Sequence, residues 1–194
     1  YNHMKTSIAN IIRPDASSYH TFFFDMATNE PLRGETHQGF SDDSSWARGQ
    51  SWAVYGLALC YHYTHEEAIL PLFERVTKYF IDHLPEDYVP YWDLIFSDGS
   101  CEPRDTSAAA IAACGILEME KYYHNQEFLD IAKKMMSSLS EKYTTVDYLQ
   151  SNGIIKDGMY SRKHGHKSEC TSWGDYFYLE ALMRMKKSDW KIYW

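Results

Sequence analysis

GETHQGFSDDSSWARGQSW, residues 34–52, decides how this chain is read. Immediately before it the pattern is short and alternating. After it Trp52, Tyr55, Gly56, Leu59, Cys60 and Tyr63 recur at helical spacing, so a helix begins near Ser44 or Ser45, either of which is a plausible N-cap. At the mouth of that helix stand one cation, Arg48, two indoles, Trp46 and Trp52, and the acids Asp42 and Asp43. A guanidinium between two indoles suits either a flat anionic ligand or a packed ion pair, and the residues alone leave both open.

Working outward, residues 2–12 read as a helix with Met4, Ile8, Ile11 and Ile12 on one side, stopped by Pro14. SSYHTFFFDM alternates and is aromatic, and ATNEPLRGETHQG returns, which predicts a small hairpin within residues 17–38 with Asn29 in the turn. A second helix follows over Glu66 to His83, and residues 85–104 form a long loop. DTSAAAIAACGILEMEKYY, capped by Asp105 or Thr106, is small and apolar on most faces and belongs in a core; QEFLDIAKKMMSSLSEKY is its amphipathic cover. Residues 144–171 are irregular, and SWGDYFYLEALMRMKK is the last helix. The class is all-α with one hairpin. Buried helices alternate with covering ones, as both a double-layered helical toroid and a solenoid require.

Composition narrows the function. The chain has 194 residues, 44% of them hydrophobic, enough for one core. A net charge of −8 without a basic run argues against nucleic acid. No apolar stretch reaches the length of a membrane span. The 16 Tyr and 6 Trp exceed what packing needs and fit either a core of amphipathic aromatics or a cleft that stacks sugar rings. Cys60, Cys101, Cys114 and Cys170 form neither a disulfide framework nor a CxxC motif, and free thiols suit a reducing compartment. HGH at His164–His166 reads as a turn rather than a metal site, so no metal or cofactor is expected.

SSYHT, RGETHQG, SDDSSWARGQSW, PYWD, PRDTSAAAIAA and WGDYFYLEAL occur in this order. Together they resemble the unsaturated glucuronyl hydrolases, glycoside hydrolase family 88, over nearly the whole chain. The resemblance implies an (α/α)6 barrel of which this chain supplies roughly the C-terminal half. It implies a substrate capped by a 4,5-unsaturated uronic acid, the product of a polysaccharide lyase. The reaction it implies is hydration of the C4=C5 vinyl ether, giving a hemiketal that collapses and releases the remaining sugar. In the family two Asp residues do the proton chemistry, and both precede the SSYHT block. The expectation is therefore that they lie in an upstream half absent from these residues, that this half of the barrel is the chain's missing partner, and that the chain alone is inactive.

The resemblance also implies substrate-binding positions. Arg48 matches a substrate-binding Arg; a guanidinium can hold a uronate carboxylate by paired hydrogen bonds, and the alternative is a surface pair with Asp42 or Asp43. Trp52, one helical turn on, can stack on the sugar or serve the core; Trp46 shapes the entrance. His20 and Gln38 match positions near the reacting end, with Gly34 and Thr36 in the same loop and Tyr160 lining the cleft. SRKHGHKSEC, residues 161–170, either reaches a second sugar or a sulfate on it or is a solvated loop. Asp42, Asp43, Asp105 and Asp175 read as structural, the first three as helix caps. The rival assignments are family 105, acting on unsaturated rhamnogalacturonan fragments, a non-catalytic carbohydrate-binding helical domain, and an epimerase on the same barrel. Cytoplasm and periplasm both occur for such enzymes.

Overall fold

The computed structural model describes residues 1–187 and 189–192. Helix α1 (Asn2–Ile11) stops short of Pro14, which lacks the N–H that another turn would use. The chain then forms an antiparallel hairpin from β1 (Thr21–Phe24) and β2 (Pro31–Glu35), with Thr21 opposite Glu35. Its turn falls at Asn29, which takes a φ of 61°, a left-handed conformation that a short polar side chain tolerates. The Asp25 carboxylate accepts the N–H groups of Ala27 and Thr28, both at 2.8 Å.

Five longer helices follow: α2 (Ala47–Thr64), α3 (Ile69–Asp82), α4 (Thr106–Met119), α5 (Gln126–Lys142) and α6 (Ser172–Lys186). Asp105 caps α4 as expected, accepting the N–H of Ser107 at 3.2 Å, and Asn125 and Thr171 cap α5 and α6. The start of α2 departs from expectation. Neither Ser44 nor Ser45 caps it; Trp46 occupies the cap position and offers no side-chain bond. The reason is a competing partner. Residues 45–47 pair with the 92–94 loop, through Ala47 N–H to the Trp92 carbonyl at 3.1 Å and Leu94 N–H to the Ser45 carbonyl at 2.9 Å. The Ser44 hydroxyl is drawn to Asp93 at 2.7 Å and that of Ser45 to Gln50 at 3.3 Å. Asp42 and Asp43 cap no helix either. The start of α3 lies at Ile69 rather than Glu66, with Pro71 inside its first turn, where a missing N–H costs nothing.

Helix α4 lies between α2 and α6 and packs on both, while α3 covers α2 and α5 covers α4. The inner layer is therefore α2, α4 and α6, and the outer layer α3 and α5. Residues Ala108 to Ala113 are fully buried, as the small-residue pattern implied. Close approach explains the small residues: a Cβ on Gly115 would lie 2.7 Å from Tyr55 Cα and 2.8 Å from Tyr55 N. Backbone cannot yield as a flexible side chain does, so Gly115→Ala is expected to wedge α4 from α2 at a cost of about 1–3 kcal/mol, measured as a fall in the urea midpoint with an unchanged slope.

One end of the inner layer is tied by charge. Arg184 on α6 pairs with Glu118 on α4 and with Glu180 at 2.8 Å, and Tyr55 on α2 donates to Glu180 at 2.8 Å. Lys121 reaches Glu118 at 2.7 Å and His62 meets it at 2.9 Å. These groups sit near the C-terminal ends of α4 and α6. The opposite ends of the same helices are free to build a site.

Candidate functional site

The first turns of the three inner helices meet around Arg48. Its Nη1 donates to Asp105 Oδ2 at 3.0 Å and to Ser107 Oγ at 3.1 Å, which joins α2 to α4. Its Nη2 donates to the Tyr160 carbonyl at 2.7 Å. Gln38 Nε2 donates to the same carbonyl at 2.8 Å, so the loop after β2, helix α2 and the 159–161 segment converge on one oxygen. From α6, Trp173 Nε1 donates to Ser107 Oγ at 3.2 Å. The indoles of Trp46 and Trp173 cover the guanidinium, at 4.7 and 5.1 Å from their ring centres.

Arg48 is 3% exposed and Asp105 fully buried, so the alternative of a surface pair with Asp42 or Asp43 does not hold. The Asp42 carboxylate instead accepts Thr36 N–H at 2.7 Å, and Asp43 meets Arg13 through its backbone carbonyl at 3.0 Å. Burial lowers the Arg48 pKa from its usual value, and the Asp105 carboxylate opposes that shift. Three of five guanidinium N–H groups are committed, leaving Nε–H and one Nη2 N–H without a partner among the described residues.

Beside this knot, between α1 and α2, lies a cavity of about 580 Å³. His20, Trp46 and Trp52 line it, together with Met4 and Ile8 from α1 and Ala53, Gly56 and Leu57 from α2. Trp52 is 38% exposed and is held edge-on by Phe177 at 5.1 Å, so a face of its indole is available. Trp46 is buried and serves the cavity wall and the Arg48 knot together. No Asp or Glu among the described residues lines this cavity.

The His20 ring packs 4.4 Å from Trp46. Its Nδ1 accepts two backbone N–H groups, from His37 at 3.0 Å and Gln38 at 3.1 Å. Burial, then the neighbouring charges of His37 and Arg48, push its pKa down to about 4.

The remaining expected positions divide. Gly34 is a close-approach residue: a Cβ there would lie 2.2 Å from Cγ of Tyr19, whose ring lies against the chain. Thr36 closes its own loop, its hydroxyl accepting Gly39 N–H at 2.8 Å. Tyr160 is 45% exposed, between Trp173 and His166. His20, Trp46 and Trp52 thus share the cavity, Arg48, Gln38 and Tyr160 form the knot behind it, and Gly34 and Thr36 shape the loop. The basic loop makes a 3-10 turn over Arg162–His164, closed by Gly165 at φ 79°, and leans on the His20 loop through His164 on His37 at 4.7 Å. The Asp175 carboxylate accepts the N–H groups of Ile154 and Ile155, a structural role.

Sequence reasoning missed Trp173, Ser107 and Asp93. Trp173 and Ser107 lie 125 and 59 positions from Arg48, and no local period marks them as partners. Asp93 is fully buried and accepts Phe40 N–H and the Ser44 hydroxyl, holding the loop before α2. Its signal was available: an acid within an apolar-aromatic PYWD run must have partners if it is buried. Among the described residues no group of three or more His, Cys, Asp or Glu could hold a metal ion, and no helix is long and apolar enough to cross a membrane.

Comparison with known proteins adds an independent line. The family model of Glycosyl Hydrolase Family 88 matches residues 8–188. The unsaturated chondroitin disaccharide hydrolase of Streptococcus agalactiae is 47% identical over 199 residues, covering 100% of this chain and 50% of that protein. A crystal structure of unsaturated glucuronyl hydrolase from Streptococcus agalactiae superposes with a TM-score of 0.94 at 47% identity, covering 100% of this chain and 50% of that one. A mutant of that enzyme complexed with dGlcA-GalNAc6S superposes with a TM-score of 0.89 at 47% identity, covering 100% of this chain and 52% of that one. The chain spans about half the length of the relatives it matches, and the inner and outer helices described above correspond to half of their (α/α)6 barrel.

Proposed function

The chain belongs to glycoside hydrolase family 88, and from that premise we propose that it forms about half of an enzyme hydrolysing unsaturated uronyl oligosaccharides released by polysaccharide lyases. The observation that carries the reading is the cavity itself. It offers the open indole of Trp52 and the fixed imidazole of His20, backed by a buried cation, and no carboxylate among the described residues. An indole face matches the apolar face of a sugar ring. Arg48, packed against the cavity residue Trp46, keeps two uncommitted N–H groups that suit a uronate carboxylate. Gln38 and Tyr160 brace Arg48 in the knot behind the cavity; Gly34 and Thr36 act through the loop that holds His20.

In the reaction we propose, a proton adds to C4 and water to C5 of the vinyl ether. The hemiketal then opens, and the hemiacetal left at the anomeric carbon expels the remaining sugar. This consumes one water and needs an acid. Asp105 is spent on Arg48 and the α4 cap, Asp93 is sealed in its loop, and no Asp or Glu among the described residues lines the cavity. The proton donor is therefore assigned to the part of the enzyme outside these residues. Membership of family 88 argues against the family 105 assignment.

Titration with an unsaturated chondroitin disaccharide, followed by Trp fluorescence, tests the sugar reading. The expected result is saturable quenching that Trp52→Ala weakens about tenfold, roughly the 1.4 kcal/mol of one good aromatic contact. Quenching identical in Trp52→Ala would remove Trp52 from the site, and no response to the sugar in the complete enzyme would reject the reading.

A further inference from the structure

The mechanism uses His20 only as a wall of the cavity, yet its hydrogen bonding is more specific than a wall requires. Backbone N–H groups can only donate, and two of them, from His37 and Gln38, point at Nδ1 from 3.0 and 3.1 Å. A proton on Nδ1 would face two donors and leave both amides unsatisfied. Both amides belong to the loop that the Asp42 carboxylate and the Thr36 hydroxyl close, so they cannot turn away without opening it. Nε2, on the other side of the ring, makes no hydrogen bond among the described residues, and His20 lines the cavity.

We infer that the loop locks His20 as the Nε2–H tautomer, and that His20 acts as a permanently neutral hydrogen-bond donor to an oxygen of the bound sugar, not as an acid or base in the reaction. The second half of this inference rests on the proposed sugar substrate; the first does not. Imidazolium is disfavoured from every side. Arg48 on α2 and His37 on the loop after β2 both act against a positive charge on the ring, and the other titratable groups lining the cavity, His3, Tyr19 and Cys60, include no carboxylate. A neutral donor that holds one geometry at all working pH values suits orientation of a substrate whose proton comes from elsewhere.

Nitrogen-15 spectra of histidine-labelled protein read the tautomer directly. The expected result is a protonated Nε2, an unprotonated Nδ1 and no titration of the His20 ring between about pH 5.5 and 8. An Nδ1–H form, or a midpoint near the ordinary value of about 6.5, would overturn the inference. Two substitutions test the donor. In His20→Asn the amide oxygen takes the place of Nδ1 and keeps the loop, but nothing replaces Nε2–H. In His20→Gln the amide N–H reaches the Nε2 position while the loop loses its acceptor. His20→Asn is expected to melt close to the parent yet bind the unsaturated disaccharide five- to tenfold more weakly, about one neutral hydrogen bond, and His20→Gln to melt lower. Unchanged affinity in His20→Asn would remove the donor role. Failure of the parent enzyme to bind the sugar would remove it together with the proposed function, while the nitrogen spectrum would still decide the tautomer.

Discussion

Arg48→Met is expected to lower stability by about 3–5 kcal/mol and to abolish detectable binding of the unsaturated disaccharide. The substitution leaves Asp105, fully buried, without its cation. A buried charge stripped of its partner costs this much because water cannot replace the partner. Ser107 N–H, its hydroxyl and Met159 N–H still serve Asp105 Oδ1, but Oδ2 loses its donor. The Tyr160 carbonyl keeps only Gln38, so the knot behind the cavity loosens as well. Urea denaturation measures the first effect and fluorescence titration the second. Adding Asp105→Asn to Arg48→Met removes the stranded charge and is expected to return part of the stability but none of the binding. If the double variant is no more stable than Arg48→Met, the cost did not come from Asp105.

Arg184→Met is expected to cost a similar 3–5 kcal/mol, but at the far end of the inner helices and with no effect on sugar affinity in the protein that remains folded. Glu180 loses its cation, and Glu118 is left with Lys121 and His62. The pH profile carries a signature. Burial pushes the Glu118 carboxyl up, but hydrogen bonds from Lys121 and Arg184 and their charges hold it below the ordinary carboxylate range. Stability from such a group is complete above its unfolded pKa, about 4.5, and is lost as pH falls through the lower folded value. Arg184→Met raises that folded value, so acid unfolding should begin at higher pH than in the parent. An unshifted acid limb would mean that the remaining partners, Lys121 and His62, suffice to keep Glu118 ionised.

These two arginines show where the sequence was informative and where it was not. The small-residue run before Gly115 identified α4 as an inner helix, because only close backbone packing requires such a run. Asn29 and Pro14 marked the hairpin turn and the end of α1 for equally local reasons. The partners of Arg48 were not legible. Asp105 was visible as a cap, and it is one, but its second oxygen is used across 57 positions of sequence, where no periodicity reports. The missed cap at Ser44 or Ser45 has the same origin: pairing with the 92–94 loop outcompeted a local bond. Nothing local in the sequence singled out Arg184, whose partners Glu118 and Tyr55 come from two other helices. The family resemblance therefore supplied the candidate residues, and the tertiary contacts decided which of them face the cavity and which stand behind it.

The central claim is that these residues supply the sugar subsite and not the acid. The ultraviolet absorbance of the C4=C5 bond in an unsaturated chondroitin disaccharide tests it, followed with this chain alone and with the remainder of the enzyme restored. The account predicts that absorbance persists with the chain alone and falls once the remainder is present. A fall with the chain alone would contradict it and would return Asp42, Asp43 or Asp105 to consideration as the proton donor.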